Sequence, residues 1–134
     1  MAKLWPPQKK KQKKKMLNKN QVYGNAGESA ALAFLKKKKY KILEKNFRTI
    51  YGEIDIIARQ KKTYVFVEVK TRASRGFGEP SDAVNRTKQR HIIHAAESYL
   101  DQNRLFDVDY RFDIIEVVGD KHDFEINHIE DAFA

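Results

Sequence analysis

Residues 52–70 read GEIDIIARQKKTYVFVEVK, two β-branched, apolar runs on either side of Gln60-Lys61-Lys62-Thr63. Such runs around a short polar break predict an antiparallel hairpin. A two-residue turn at 61–62 sets Gln60 opposite Thr63. A four-residue loop gives the same register, because it sets Arg59 opposite Tyr64. Ile54 then faces Val69, Ile56 faces Val67 and Ala58 faces Val65, so one face of the hairpin is wholly apolar. A slip of one residue would turn that whole face to solvent, which makes the register specific.

The opposite face pairs Ile57 with Phe66, Asp55 with Glu68, and Glu53 with Lys70. Directly opposed residues have Cβ atoms about 4.5–5.5 Å apart, and two carboxylates at that spacing repel. A divalent cation between them removes the conflict. One or two carboxylates completed by water suit Mg²⁺ or Mn²⁺. Lys70 lies two residues beyond Glu68 and so shares its face. A cation there can orient a water or stabilise charge developing on a phosphate. The plain alternative is a solvent-facing strand in which Lys70 simply pairs with Glu53. Phe66 and Ile57 on the same face predict a helix over most of it, with the acidic end left at a cleft rim.

Outward from the hairpin, Asn25–Lys38 (NAGESAALAFLKKK) puts Ala30, Ala31, Phe34 and Leu35 on one helical face and ends in lysines that suit the C-terminal dipole. Lys41–Phe47 reads as a strand. Thr71–Pro80 (TRASRGFGEP) reads as a loop. Ser81 is the expected N-cap of a second helix, about Asp82 to Asn103, whose apolar side runs through Val84, Ile92, Ala95, Ala96, Tyr99 and Leu100. Tyr110–Val118 and Phe124–Ile129 predict two further strands around Gly119-Asp120. The result is an α/β domain, a mixed β-sheet flanked by helices, in the order α-β-β-β-α-β-β.

The 134 residues suit one domain, and 41% hydrophobic content is enough for a packed core. The formal net charge is +9, but it is unevenly placed. Residues 1–19 hold eight lysines and no acid; residues 20–106 hold 17 basic and 9 acidic side chains; residues 107–134 hold 2 and 9. Residues 1–20, with KKKQKKK behind Pro6-Pro7, predict a disordered Lys-rich tail, leaving 21–134 as the folded domain. The tail either adds phosphate affinity or only solubilises the chain. The absence of cysteine excludes a disulfide scaffold, a Cys-ligated zinc site and a thiol nucleophile. No apolar run is long enough to span a membrane, and no apolar stretch follows the basic start as in a secretory leader. A cytoplasmic location is expected.

The pattern Ile54-Asp55 … Glu68-Val69-Lys70 resembles the active-site signature of the PD-(D/E)xK nuclease superfamily, with Ile54 where proline often stands. The resemblance extends through GNAGESAALAFL, GEIDIIA, VFVEVKTR, the Ala83-Val84 … Lys88 helix start and the RFDIIEV … INHIEDAF ending. Together these are similar to the YraN-type family of small uncharacterised bacterial proteins, over about residues 22–133. That family is similar in fold to restriction endonucleases and Holliday-junction resolvases.

The resemblance implies a metal-dependent nuclease acting on DNA, with the branched or structured DNA of a resolvase among the substrates it suggests. It implies Mg or Mn held by Asp55, Glu68 and the Val69 carbonyl, with Lys70 as the catalytic lysine and Glu28 assisting from the first helix. The bland reading of Glu28 is an acid near the start of a helix, where it complements the dipole. Arg72, Arg75 and Phe77 in the following loop, and Lys88 and Arg90 on the second helix, are candidate nucleic-acid contacts. A homodimer is compatible with this reading, since enzymes that cut both strands often work as symmetric pairs. The alternative is a nucleic-acid-binding protein of the same fold without turnover. His91, His94, His122 and His128 show no metal-ligand spacing, and His91 and His94 are expected at the surface. Asp113 and Glu116 receive no chemical role.

Overall fold

The computed structural model describes residues 16–74, 84–120 and 122–134. Arg75, Phe77 and Ser81 lie outside them, as does most of the lysine-rich tail. Among the described residues seven elements follow in chain order: α1 (Lys19–Lys37), β1 (Lys41–Thr49), β2 (Gly52–Gln60), β3 (Thr63–Arg72), α2 (Arg86–Gln102), β4 (Asp109–Asp120) and β5 (Asp123–Phe133). This is the expected mixed α/β order.

The strands form one sheet in the spatial order β1-β2-β3-β4-β5. All neighbours are antiparallel except β3 and β4, which run parallel. Parallel neighbours need a crossover, and α2 supplies it. The helices cover opposite faces. Ala31 and Leu35 of α1 pack with Ile56, Ala58, Val65, Val67, Ile115 and Val117. Ile92, Ala95, Ala96, Tyr99 and Leu100 of α2 pack with Ile57, Phe66, Phe112 and Ile114. With both faces covered, the central strands are apolar on both sides, which is why FDIIEVV reads as an almost continuous hydrophobic run.

α1 starts six residues before the expected Asn25 and takes Lys19 and Asn20 out of the stretch assigned to the tail. The reason is a capping box. The Asn18 side chain accepts from the Gln21 N–H at 2.8 Å, and the Gln21 side chain accepts from the Asn18 N–H at 3.0 Å. Tyr23 fixes the same turn, donating its hydroxyl to the Gly119 carbonyl at 2.6 Å. α2 starts four residues after the expected Asp82, because Asn85 takes the cap and accepts from the Lys88 N–H at 2.9 Å.

The hairpin register holds from Gln60↔Thr63 to Ile56↔Val67 and stops there. The expected pairs at Asp55, Ile54 and Glu53 do not form as ladder pairs. Ile54 packs with Ile57 and Phe66 on the α2 side, not with Ile56 on the α1 side. On its other side β2 stays paired with β1, at Lys45↔Ile56 and Phe47↔Ile54, and Asn46 between them has a left-handed φ of 52°. The β1–β2 register shifts farther along, between Ile42 and Glu44, a bulge of the kind found where strands are re-aimed.

Candidate active site

Where the β2–β3 ladder ends, a side chain takes over. Asp55 Oδ2 accepts the Val69 backbone N–H at 2.8 Å. The two strands therefore fork at Asp55, and the fork is held by a carboxylate rather than by a carbonyl. Glu68, one residue earlier on β3, shares the face of Phe66 and is only 3% exposed.

Asp55 and Glu68 are in contact, as the hairpin predicted, though through the fork and not as a ladder pair. Burial pushes the Asp55 carboxyl up, the charge and hydrogen bond of Glu68 push it further, and the Val69 N–H opposes them; the result is about 8. An acid held that far above its ordinary value means that two negative charges do not coexist here without a compensating cation.

Cations do approach from one side. Lys70 Nζ lies 3.7 Å from Glu68 Oε2, and Lys88 Nζ makes a closer ion pair with the same oxygen. Burial lowers the Lys70 pKa, and the Lys88 ammonium lowers it further. Burial also opposes charge on Lys88, but the hydrogen bond and charge of Glu68 outweigh it and raise its pKa. The surface alternative for Lys70 does not hold. Glu53 pairs with Arg48 at 3.6 Å instead.

Glu28 approaches from α1. Gly27 before it lies so close to β3 that an added Cβ would sit 2.1 Å from Thr71 Oγ1. Only glycine lets the helix come this near, and the approach brings Glu28 within electrostatic range of Glu68 and Asp55. Burial raises the Glu28 pKa, as do Glu53 and Glu68, while Lys45 opposes them. With its amide turned to satisfy both acids, Asn46 donates to Glu53 Oε1 at 3.1 Å and to Glu28 Oε1 at 3.2 Å. A cavity of about 170 Å³ opens here, lined by Asn25, Glu28, Ser29, Leu32, Lys45 and Asn46. Another of about 380 Å³ runs along α2 beside Arg86 and Arg90 and touches none of these acids.

Asp55, Glu68 and Lys70 thus meet at one fork, with Glu28 within electrostatic range of it. The three acids offer oxygens, which suit a hard divalent cation, and a cation there would favour the ionised form of the raised Asp55 carboxyl. The residues fit such an ion, with Asp55 and Glu68 as its holders. Val69 stands between Glu68 and Lys70, where its carbonyl was expected to join them.

The expected nucleic-acid contacts separate. Lys88 turns inward to Glu68. Arg72 pairs at 3.0 Å with Glu116, which is 3% exposed. Arg90 stays exposed on α2, and so do His91 and His94.

Sequence reasoning left Glu116 and Asp113 without roles, and both are buried ion-pair centres. Arg111 Nε lies 3.0 Å from Asp113 Oδ1, His128 Nε2 lies 2.7 Å from its Oδ2, and the Asp131 N–H donates to it at 2.9 Å. Asp113, His128 and Glu130 could by spacing hold a metal ion. Arg111 already supplies that positive charge, reaching Glu130 at 3.0 Å and the Tyr40 hydroxyl at 2.7 Å. The signal was in the sequence: two acids inside FDIIEVV demand buried partners.

Fold and site define a mixed α/β protein whose central hairpin forks around a carboxylate pair, one member buried and the other half-buried. The chain belongs to the family described as "Uncharacterised protein family UPF0102", whose profile matches residues 27–117. It is 48% identical over 119 residues to the UPF0102 protein of Caldicellulosiruptor saccharolyticus, covering 87% of this chain and 100% of that one. It is 50% identical over 116 residues to the UPF0102 protein of Alkaliphilus oremlandii, covering 85% and 99%. With the UPF0102 protein of Geotalea daltonii it shares 50% over 117 residues, covering 87% and 92%. The YraN-type membership expected from the motifs is this family. Among the described residues no helix is long and apolar enough to cross a membrane.

Proposed function

We propose that this protein is a divalent-cation-dependent nuclease that hydrolyses phosphodiester bonds in DNA, with branched or structured DNA as its substrate. One observation carries the reading: the half-buried Asp55 carboxyl touches the buried Glu68 carboxylate at a strand fork, and Asp55 is held up at about 8. A stability-driven sheet would not keep that pair.

Asp55 and Glu68 would hold Mg²⁺ or Mn²⁺, with the Val69 carbonyl beside them. When bound, the ion supplies Lewis acidity and neutralises charge at the phosphate. Lys70 orients the attacking water and donates to the oxygen on which charge develops. Glu28, within electrostatic range on the α1 side, would take up a proton from that water. Water adds across the P–O bond, leaving a phosphate monoester on one fragment and a hydroxyl on the other. A symmetric pair of domains would let both strands be cut.

The test is a panel of linear, single-stranded, flapped and four-way DNA with Mn²⁺, run with the wild type, Lys70→Ala and Glu68→Gln. Cleavage should fall by about 100-fold or more in both variants while their folds persist. Equal cleavage by the variants would remove the assignment. A second reading, nucleic-acid binding without turnover, is favoured by the Lys88 ammonium seated on Glu68. DNA retention with no Mn²⁺-dependent cleavage of any substrate would select it.

A further inference from the structure

We infer that Lys88 is an internal stand-in for the divalent cation: it neutralises Glu68 when the ion is absent, must leave when the ion binds, and is then free to meet the phosphate of the bound strand. The inference rests on the metal-site reading above and adds to it the regulation of that site.

Three observations converge. First, Glu68 is almost wholly buried, and a buried carboxylate needs a counter-charge. Second, the counter-charge comes from another element. Lys88 stands in the first turn of α2, fixed there by the Asn85 cap, and its Nζ contacts Glu68 Oε2. Lys70, on the same strand as Glu68, is farther from that oxygen at 3.7 Å. Third, the Lys88 side chain is 43% exposed, against 4% for Glu68. One end of this pair is fixed and the other can swing out on four methylenes.

A divalent ion on Glu68 would claim the oxygen that Lys88 now occupies and would repel the ammonium. The ion and Lys88 therefore compete, and the apparent ion affinity falls by the fraction of molecules in which Lys88 holds the site. Once displaced, the ammonium remains tethered at the rim, released from Glu68. A phosphate drawn to the ion would meet it there. Ion and nucleic acid would then each strengthen the binding of the other, because binding one removes the competitor of the other or gives it a partner.

The experiment measures Mn²⁺ binding calorimetrically, without nucleic acid, to the full chain and to Lys88→Met, Lys88→Arg and Glu68→Gln. Lys88→Met should bind Mn²⁺ roughly three- to tenfold more tightly than the wild type. Lys88→Arg, which keeps the competing charge, should stay near the wild type, and Glu68→Gln should lose the site. Mn²⁺ should also raise the melting temperature of Lys88→Met more than that of the wild type, a readout that serves even if the variant is less stable. Unchanged or weaker Mn²⁺ binding by Lys88→Met, with Glu68→Gln still defective, would overturn this inference and leave the metal site standing. Equal binding by Glu68→Gln, or no binding by any form, would overturn the metal site and this inference together.

Discussion

Gly27 and Thr71 touch so closely that the helix and the strand leave no room for a methyl group between them; a Cβ on residue 27 would lie 2.1 Å from Thr71 Oγ1 and 2.8 Å from its Cγ2. Gly27→Ala should therefore destabilise the fold by about 1–3 kcal/mol, the usual range for overpacking. Thr71→Ala removes both offending atoms and should recover much of that loss. A double-mutant cycle by urea unfolding checks it, and additive losses would show that the contact is not the cause.

Asp55 makes the protein a proton binder on folding. Its carboxyl stands at about 8 in the fold against an ordinary 3.8. Its burial thus costs most at high pH, where it must be charged, and the cost is relieved as pH falls from about 9 towards 4. Glu28, also raised, acts in the same direction. Without divalent ions, Asp55→Asn should be more stable than the wild type at pH 8.5, by about 1–3 kcal/mol, because the amide can still accept from Val69 and can donate to Glu68. Thermal melts from pH 6 to 9 test this. A wild type that gains stability towards pH 9 would contradict it.

Asp113 behaves in the opposite sense. Burial would raise it, but the hydrogen bonds from His128, Arg111 and the Asp131 N–H outweigh burial and hold it below its ordinary value. Its contribution is complete above the unfolded value near 3.8 and is lost as pH falls through the lower folded value. Asp113→Ala should cost about 3–5 kcal/mol at neutral pH, since it strands Arg111 beside a buried His128. Asp113→Asn should flatten the acid limb of the stability curve below about pH 4. An unaltered limb would assign the acid sensitivity to other groups.

Arg72 separates two roles. As the partner of buried Glu116 it should matter for folding: Arg72→Ala is expected to cost about 3–5 kcal/mol, and Arg72→Met with Glu116→Leu to recover most of it. As a phosphate contact it would instead change the salt dependence of DNA binding by about one unit of slope. Measuring both on the same variant tells which charge Arg72 serves, and full stability in Arg72→Ala would refute the structural role.

The central hairpin was legible because a period of two with an apolar face allows one register, and Gln60↔Thr63 through Ile56↔Val67 follow it. The fork was not legible. Periodicity assumes that the ladder continues, whereas here the Asp55 side chain replaces a backbone acceptor. The contact between Asp55 and Glu68 was readable from their spacing alone. The place of Lys88 was not, since it depends on where the crossover sets the start of α2. The early start of α1 was readable in principle from Asn18 and Gln21, three apart, but the lysines around them look like a solvated run. The buried Asp113 and Glu116 announced themselves as charges in an apolar strand, while their partners lie two residues away and on the neighbouring strand.

The parallel pairing that runs from Thr63↔Asp109 to Arg72↔Val118 joins segments made far apart in time. The hairpin of β2 and β3 is made before β4, so its Arg72 at first has no Glu116 to hold. Non-local parallel closure is slow, so the nascent chain passes through an interval in which that arginine is bare and the sheet lacks its inner neighbour. Closure of the Arg72–Glu116 ion pair therefore waits on β4, not on completion of the hairpin.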